Sequence, residues 1–168
     1  MSLYFRLTLF VFLGLFLGCN RSKLPGLYPV KGRITHQGEP LEGVVLNFFP
    51  VTTTSESRTA TGRSAADGTF TLTTLQTNDG AFPGEYRITL RKLLFSMTEE
   101  EIRDIEKSGR NARIESQNII PEKYQNPMTT ELSFTVQAGK NPLCVIDISE
   151  ELRKTAFPAW SRYEAQKR

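Results

Sequence analysis

Short runs in which apolar and polar residues alternate recur along this sequence and limit the folds that it can adopt. In the run 85–94, Tyr86, Ile88 and Leu90 occupy every second position, with polar residues such as Thr89 between them. Successive side chains of a strand point to opposite faces of a sheet, so we expect the apolar residues to face inward and the polar ones outward. Similar patterns predict six further strands, at 28–35, 41–50, 58–63, 70–75, 130–136 and 143–148.

Residues typical of turns separate these runs. Gly38 and Pro40 follow the first run, and Asp67-Gly68 stands between the third and the fourth, where it predicts a tight hairpin. No helical pattern alternates with the strands, and no repeat of fixed period is present. Seven short strands with turns between them are typical of two sheets packed face to face. The sequence therefore predicts an all-β fold, a seven-stranded antiparallel β-sandwich.

A change of period marks one helical insertion, predicted at 96–108. A capping box can start this helix, formed either by Ser96 and Glu99 or by Thr98 and Glu101. Its apolar stripe is thin, so we expect an excursion between two strands that packs lightly on the sandwich.

Three polar segments are predicted to lie outside the sandwich. Residues 110–118 show no period and are expected to be disordered, and residues 149–154 are expected to form a helical turn or two. The tail combines aromatic and basic residues, which favours contact with a partner, peptidoglycan or lipid headgroups. The alternative is a frayed terminus without a function. The tail residues in question are Arg153, Lys154, Trp160, Arg162, Tyr163, Lys167 and Arg168.

The first 18 residues have the layout of an export signal. Arg6 precedes the uncharged apolar run Leu7–Leu17, which is shorter than the about 20 residues of a membrane-spanning helix. Phe16-Leu17-Gly18-Cys19 resembles the lipobox of bacterial lipoproteins, where cleavage before the cysteine leaves a thiol that carries diacylglycerol. We therefore expect lipidation at Cys19. The alternative is an ordinary secretory signal with a chance cysteine.

This leader divides the chain into four parts. Residues 1–18 are the expected signal peptide, 19–27 a short lipidated linker, 28–149 the sandwich domain with its insertion, and 150–168 the tail. The domain is long enough to bury one core.

Charge and cysteine content exclude several classes of function. The formal net charge of the 168 residues is only +3 and no run of Lys or Arg occurs, so we predict no nucleic-acid partner. Acylation of Cys19 leaves Cys144 as the remaining thiol, so no internal disulfide can form. Because Cys144 lies in an apolar run, we expect it to be a small buried hydrophobic residue rather than a reactive thiol.

Six short segments stand in a fixed order along the chain: VKGRIT (30–35), GEPLEGV (38–44), FFP (48–50), ADGTFTL (66–72), PGEYRI (83–88) and IPEKY (120–124). Together they resemble motifs of the carboxypeptidase-regulatory-like domain of short bacterial envelope lipoproteins. The resemblance implies a seven-stranded, transthyretin-like sandwich related to Ig-like domains. Two features depart from the family pattern. Ala65 stands where an acid often precedes the Asp-Gly turn, and the insertion at 96–108 is longer than a loop.

Candidates for chemistry are few. His36 is the only histidine, and we expect it to be an exposed loop residue without a nucleophile beside it. Zinc sites usually need several Cys and His ligands. The chain also lacks the histidine set and C-terminal tetrapeptide of the transthyretin-like hydrolase that opens 5-hydroxyisourate. We therefore predict no catalytic residue.

Acidic residues are the remaining candidate metal ligands. Glu99-Glu100-Glu101 and Asp104 do not converge on one ion, because consecutive helical side chains point about 100° apart. They are expected to form a solvated helix start. Asp67 and Asp79 lack the dense set of oxygen ligands that Ca²⁺ requires. No metal site and no cofactor are predicted.

These observations favour a non-enzymatic lipoprotein of the bacterial cell envelope, anchored to membrane lipid through acylated Cys19. Its sandwich would act as a binding or structural module for an unidentified envelope protein or glycan. Three alternatives stay open, namely a carbohydrate-binding module, a small transthyretin-like hydrolase and a purely structural role.

Overall fold

The computed structural model describes residues 26–53, 57–110, 113–154 and 157, which form a mostly β fold. Two four-stranded sheets and one two-stranded sheet contain ten strands, where the sequence predicted seven. The all-β class is thus confirmed and is consistent with a sandwich. The elements are β1 (Lys31–His36), β2 (Glu39–Pro40), β3 (Val45–Pro50), β4 (Ala60–Arg63), β5 (Thr69–Thr71), β6 (Gly84–Arg91), β7 (Leu93–Phe95), α1 (Glu99–Ser108), β8 (Ser116–Asn118), β9 (Ser133–Val136) and β10 (Cys144–Ile148).

The first sheet is organised around β1. This strand pairs with β10 on one side and with β2 and β5 on the other. The β1–β10 pair is parallel, whereas the sequence predicted an antiparallel sandwich. Val30, Ile34 and Ile146 are buried, in agreement with the predicted alternation.

Gly32 lets β5 and β10 approach β1 closely. It pairs with Phe70 on one side and with Cys144 on the other. A Cβ atom at this position would lie 2.2 Å from the Phe70 ring and 2.4 Å from the Cys144 carbonyl oxygen. The Phe70 ring therefore occupies the space that any other side chain needs.

The second sheet has the order β4-β3-β6-β9, and all its pairs are antiparallel. Tyr86, Ile88 and Leu90 are buried as predicted. Phe48 lies at the centre of the core and is fully buried. Its ring lies 6.3 Å, between centroids, from each of three other rings, within the range of favourable aromatic pairs. These rings belong to Phe70, Tyr86 and Phe134.

The two main sheets meet along β4 and β5. Thr61 and Thr73 form an isolated antiparallel bridge between them. A Cβ atom on Gly62 would lie 3.1 Å from the Thr71 carbonyl oxygen, so glycine allows this close approach. The Asp67-Gly68 turn was predicted to form a simple hairpin, but it connects strands of different sheets.

The insertion leaves the second sheet after β6. Thr98 and Glu101 form the capping box that starts α1, and Gly109 ends it with φ 66°. No residue of α1 is buried, so the helix packs lightly, as predicted. The prediction of disorder at 110–118 was wrong for Ser116–Asn118, which form β8 and pair with β7. Residues 111–112 lie outside the described part.

Two further predictions need correction. The strand predicted at 41–50 starts only at Val45, because residues 42–43 form a turn in which Gly43 has φ 71°. No helical turn occurs at 149–154, which have no regular secondary structure and bend at Glu150. There, the Arg153 amide donates to the Ile119 carbonyl oxygen at 2.7 Å, so the chain is held by the loop before the 3₁₀ helix Glu122–Tyr124.

The part of the chain that the structure describes contains no helix with the length and apolar character needed to cross a bilayer. The predicted signal peptide, Cys19 and the tail aromatics Trp160 and Tyr163 lie outside the described residues.

Candidate binding site

His36 does not lie in an exposed loop, and that prediction was wrong. It ends β1 and is 3% exposed. The alternation that buries Val30 and Ile34 continues for one more step and turns the imidazole inward. Its Nε2 atom lies 3.1 Å from the Glu150 carbonyl oxygen. The ring therefore helps to hold the segment after β10.

Cys144 is buried at the start of β10, as predicted. Burial in apolar surroundings disfavours the thiolate and raises the pKa of the thiol to about 12. The group is protonated at neutral pH, and it packs as a small hydrophobic residue.

Asp67 and Asp79 organise turns. Asp67 accepts hydrogen bonds from the Thr69 hydroxyl and amide, which lower the pKa of its carboxyl. Burial alone would raise the pKa of Asp79, but backbone amides outweigh it and lower the pKa. Those amides belong to Thr74, Leu75 and Gln76 and lie 2.6–2.9 Å from the Asp79 carboxylate.

The acidic start of α1 has the exposed position that was predicted for it. Glu99, Glu100, Glu101 and Asp104 are all exposed on the helix. Across 26–53, 57–110, 113–154 and 157, no three His, Cys, Asp or Glu side chains are placed so that they could hold a metal ion.

A polar cluster links the 3₁₀ helix to the segment after β10. Tyr124 donates a hydrogen bond to the Glu150 carboxylate, which also pairs with Lys123. Arg153 pairs with Glu122 at 3.1 Å. These groups satisfy one another and join the 3₁₀ segment to the chain after β10.

A cleft of about 490 Å³ lies on the outer face of the second sheet, the face directed away from the core. Strands β3 and β6 form its floor. The β7–β8 pair and the segment after the 3₁₀ helix form its roof, so we call it the roofed cleft. Its floor includes Asn47, Phe49, Thr89 and Arg91, and its roof Leu93, Ser116, Asn118, Gln125 and Pro127.

Thr89 is a buried residue of this cleft whose hydroxyl lacks a hydrogen-bond partner in the described part of the chain. The sequence predicted it to face outward into solvent, but it is only 4% exposed because the roof covers it. Its hydroxyl makes no hydrogen bond within the described residues. Every fully buried polar side-chain atom in this part of the chain has a hydrogen-bond partner. Because the Thr89 hydroxyl has none there, it is not fully buried, and it opens into the cleft.

Two amide side chains of the roof are held in place. Asn118 Oδ1 accepts from the backbone amides of Lys92 at 2.9 Å and Ile120 at 3.2 Å. Gln125 Nε2 donates to the Ile120 carbonyl oxygen at 2.6 Å. These bonds fix both amide groups while leaving Asn118 Nδ2 and Gln125 Oε1 without a partner among the described residues.

A second cleft, of about 550 Å³, lies where β4 meets β5, and we call it the edge cleft. Hydroxyl, amide and backbone groups dominate its lining. Arg63 is its only charged lining residue, as Arg91 is in the roofed cleft. The polar side chains of the edge cleft belong to Thr61, Arg63, Thr69, Thr71, Thr73 and Asn78.

Strand β3 separates the two clefts, and the register places them side by side. Val45 pairs with Arg63 on β4 and with Arg91 on β6. Asn47 likewise pairs with Thr61 and with Thr89. Directly paired residues share one face of a sheet, so the two clefts form one polar surface across the outer face.

This surface carries unbalanced positive charge. Neither Arg63 nor Arg91 forms an ion pair within the described residues, and no acidic residue lines either cleft. Burial lowers the pKa of the nearby Lys92; the Glu42 carboxylate opposes this effect, and the Arg63 charge adds to it. The surface can therefore bind a polar ligand that carries negative charge.

Comparisons of the chain with protein-family profiles, with curated proteins and with solved structures returned no match.

Proposed function

We propose that this protein is a lipoprotein of the bacterial cell envelope whose β-sandwich is a non-catalytic binding module. In this proposal Cys19 carries the lipid anchor, the short linker keeps the domain near the membrane, and the outer face of the second sheet meets an envelope ligand. The domain would belong to the carboxypeptidase-regulatory-like, transthyretin-like sandwiches that its motifs resemble.

The contrast, among the described residues, between reactive groups that line neither cleft and unpartnered polar groups that line one carries the binding proposal. His36 and Cys144 are the side chains best suited to nucleophilic or acid–base work, and both are buried. The Thr89 hydroxyl instead opens into a cleft and lacks a partner in the described structure. A small hydrolase needs a base within reach of an accessible reacting group. Neither His36 nor Cys144 meets this requirement, so the structure favours binding over hydrolysis.

Membrane fractionation and intact mass of the natively expressed protein test the anchor. We expect a chain that starts at Cys19, carries acyl mass and sediments with membranes. The Cys19→Ala variant is expected to be soluble or unprocessed. A wild-type protein that lacks acyl mass and is released in soluble form would contradict the lipoprotein proposal.

Cosedimentation with purified envelope glycan tests the binding function separately. The double variant Arg63→Glu/Arg91→Glu reverses two charges on the outer face, and we expect it to lose cosedimentation. Arg103→Glu/Lys140→Glu makes the same charge change at two exposed residues outside both clefts and is the matched control. If all three proteins remain in the supernatant, or if the control loses retention equally, the outer face is not the glycan-binding surface.

A carbohydrate-binding module is the second candidate, and the roofed cleft favours it. Sugars are bound by hydroxyl and amide groups together with an apolar or aromatic surface. The cleft offers the Thr89 hydroxyl, the fixed amides of Asn118 and Gln125, and the half-buried Phe49 ring.

A further inference from the structure

We propose that the two clefts together bind a linear acidic saccharide. One sugar carboxylate binds Arg91 in the roofed cleft, and the carboxylate of another unit binds Arg63 in the edge cleft. This inference rests on the proposed binding function and names the ligand class.

The roofed cleft is suited to a sugar ring. The Thr89 hydroxyl is shielded from bulk solvent and gains a hydrogen bond when a ligand hydroxyl enters. Asn118 Nδ2 can donate to a second ligand oxygen, and Gln125 Oε1 can accept from another hydroxyl. Phe49 supplies an aromatic surface for the apolar side of the ring. The volume of about 490 Å³ falls within the range of small-molecule sites.

Arg91 adds selectivity for acidic sugars. It is the only charged lining residue of the roofed cleft and has no ion-pair partner in the described structure. A guanidinium group binds a carboxylate through two parallel hydrogen bonds, a geometry that a neutral sugar cannot supply. The absence of acidic lining residues removes repulsion that an incoming carboxylate would otherwise meet.

The position of Arg63 argues for a chain of sugars rather than a single one. Arg63 and Arg91 lie two strands apart, on either side of Val45. Neighbouring strands are about 4.8 Å apart, so the two arginine backbones are separated by about 10 Å. One ring in the roofed cleft does not extend to the edge cleft, whereas an oligosaccharide can place carboxylates at both positions.

Calorimetric titration of the full, detergent-extracted protein tests this inference. The probes are tetragalacturonate, galacturonate, neutral maltotetraose and inorganic phosphate. We expect tetragalacturonate to bind at least about 10-fold more tightly than galacturonate, because it engages both arginines. Maltotetraose and inorganic phosphate are expected to give no measurable binding under the same conditions.

Variants assign the two clefts. Arg91→Gln is expected to weaken both acidic ligands by about 10- to 100-fold, as expected for a lost charge-assisted hydrogen bond. Arg63→Gln is expected to weaken tetragalacturonate alone, by about 10-fold. Thr89→Val keeps the side-chain shape and is expected to weaken both ligands by about 3- to 10-fold. The matched controls Arg103→Gln on α1 and Thr135→Val on β9 lie outside both clefts and should leave affinity unchanged.

Several outcomes overturn the inference. If maltotetraose binds as tightly as tetragalacturonate, the arginines do not select carboxylates. If Arg63→Gln weakens galacturonate and tetragalacturonate equally, Arg63 does not bind a second sugar unit. Binding of phosphate as tight as that of tetragalacturonate would reveal an unspecific anion site. If no pure saccharide binds while the protein still cosediments with envelope glycan, the proposed ligand class is wrong but the proposed binding function stands. Loss of both signals refutes both proposals.

Discussion

Replacement of Phe48 by alanine tests the packing of the core most sharply. The side chain is fully buried and contacts three rings at centroid distances of 6.3 Å. Truncation of a buried Phe costs about 3–5 kcal/mol. Because each aromatic pair adds about 0.5–1.5 kcal/mol, we expect a loss near the upper end, about 4–5 kcal/mol. At an m-value of about 2 kcal/mol/M, the urea midpoint falls by about 2 M.

The neighbouring Phe49 is the matched control, because it points to the opposite face of β3. It is half-buried and lines the roofed cleft, so Phe49→Ala is expected to cost about 1 kcal/mol. Far-UV circular dichroism during urea unfolding of the full protein measures both variants, and Phe48→Leu supplies a milder change that should keep the protein folded. Equal midpoint shifts for Phe48→Ala and Phe49→Ala would refute the assignment of the two faces.

Three further predictions follow from single residues. In the Cys19→Ala variant, Cys144 is the only thiol. Because burial raises its pKa to about 12, we expect iodoacetamide to modify it at least about 100-fold more slowly in the native protein than in urea. Equal rates would contradict its burial. Backbone amides lower the pKa of Asp79 in the folded state, so its stabilising contribution is present above about pH 4 and is lost as the pH falls through the folded-state pKa. Asp79→Asn should therefore flatten the acid limb of stability against pH, and an unchanged limb would refute this role. Thr98→Ala removes the capping box and should destabilise α1 by about 1 kcal/mol, seen as faster amide exchange in Glu99–Ser108 with β6 unchanged. Exchange that accelerates equally in β6 would contradict the light packing of α1.

Local patterns in the sequence were sufficient for much of the fold. The alternation of Tyr86, Ile88 and Leu90 identified β6 because the signal lies within eight consecutive residues. The Thr98–Glu101 capping box was one of two options that the sequence offered for the start of α1. These features are decided by neighbours along the chain, which sequence patterns describe directly.

Features decided by distant residues were missed. β8 is polar, and its strand conformation comes from pairing with β7 across α1. The parallel β1–β10 pair joins residues more than 100 positions apart. His36 is instructive because a signal was present: it continues the alternation of Val30 and Ile34, although the following Gln37-Gly38 turn favoured a loop.

The candidate site was missed for the same reason, because residues far apart in the sequence form it. Thr89 stands at an outward position of β6, and nothing nearby in the sequence indicates a roof. Its burial results from residues 116–127, which return to the sheet after α1. Arg63 and Arg91 are likewise brought together only by the register of β3 with its two neighbours.

Amide hydrogen exchange with and without ligand is the most direct test of the central claim, that the outer face of the second sheet is the binding surface. The full, detergent-extracted protein is compared alone and saturated with tetragalacturonate or with purified envelope glycan. We predict slower exchange in the roof segments Leu93–Phe95 and Ser116–Asn118 and no change in Cys144–Ile148 of the first sheet. Protection confined to Cys144–Ile148, or no protection under saturating ligand, would contradict the account.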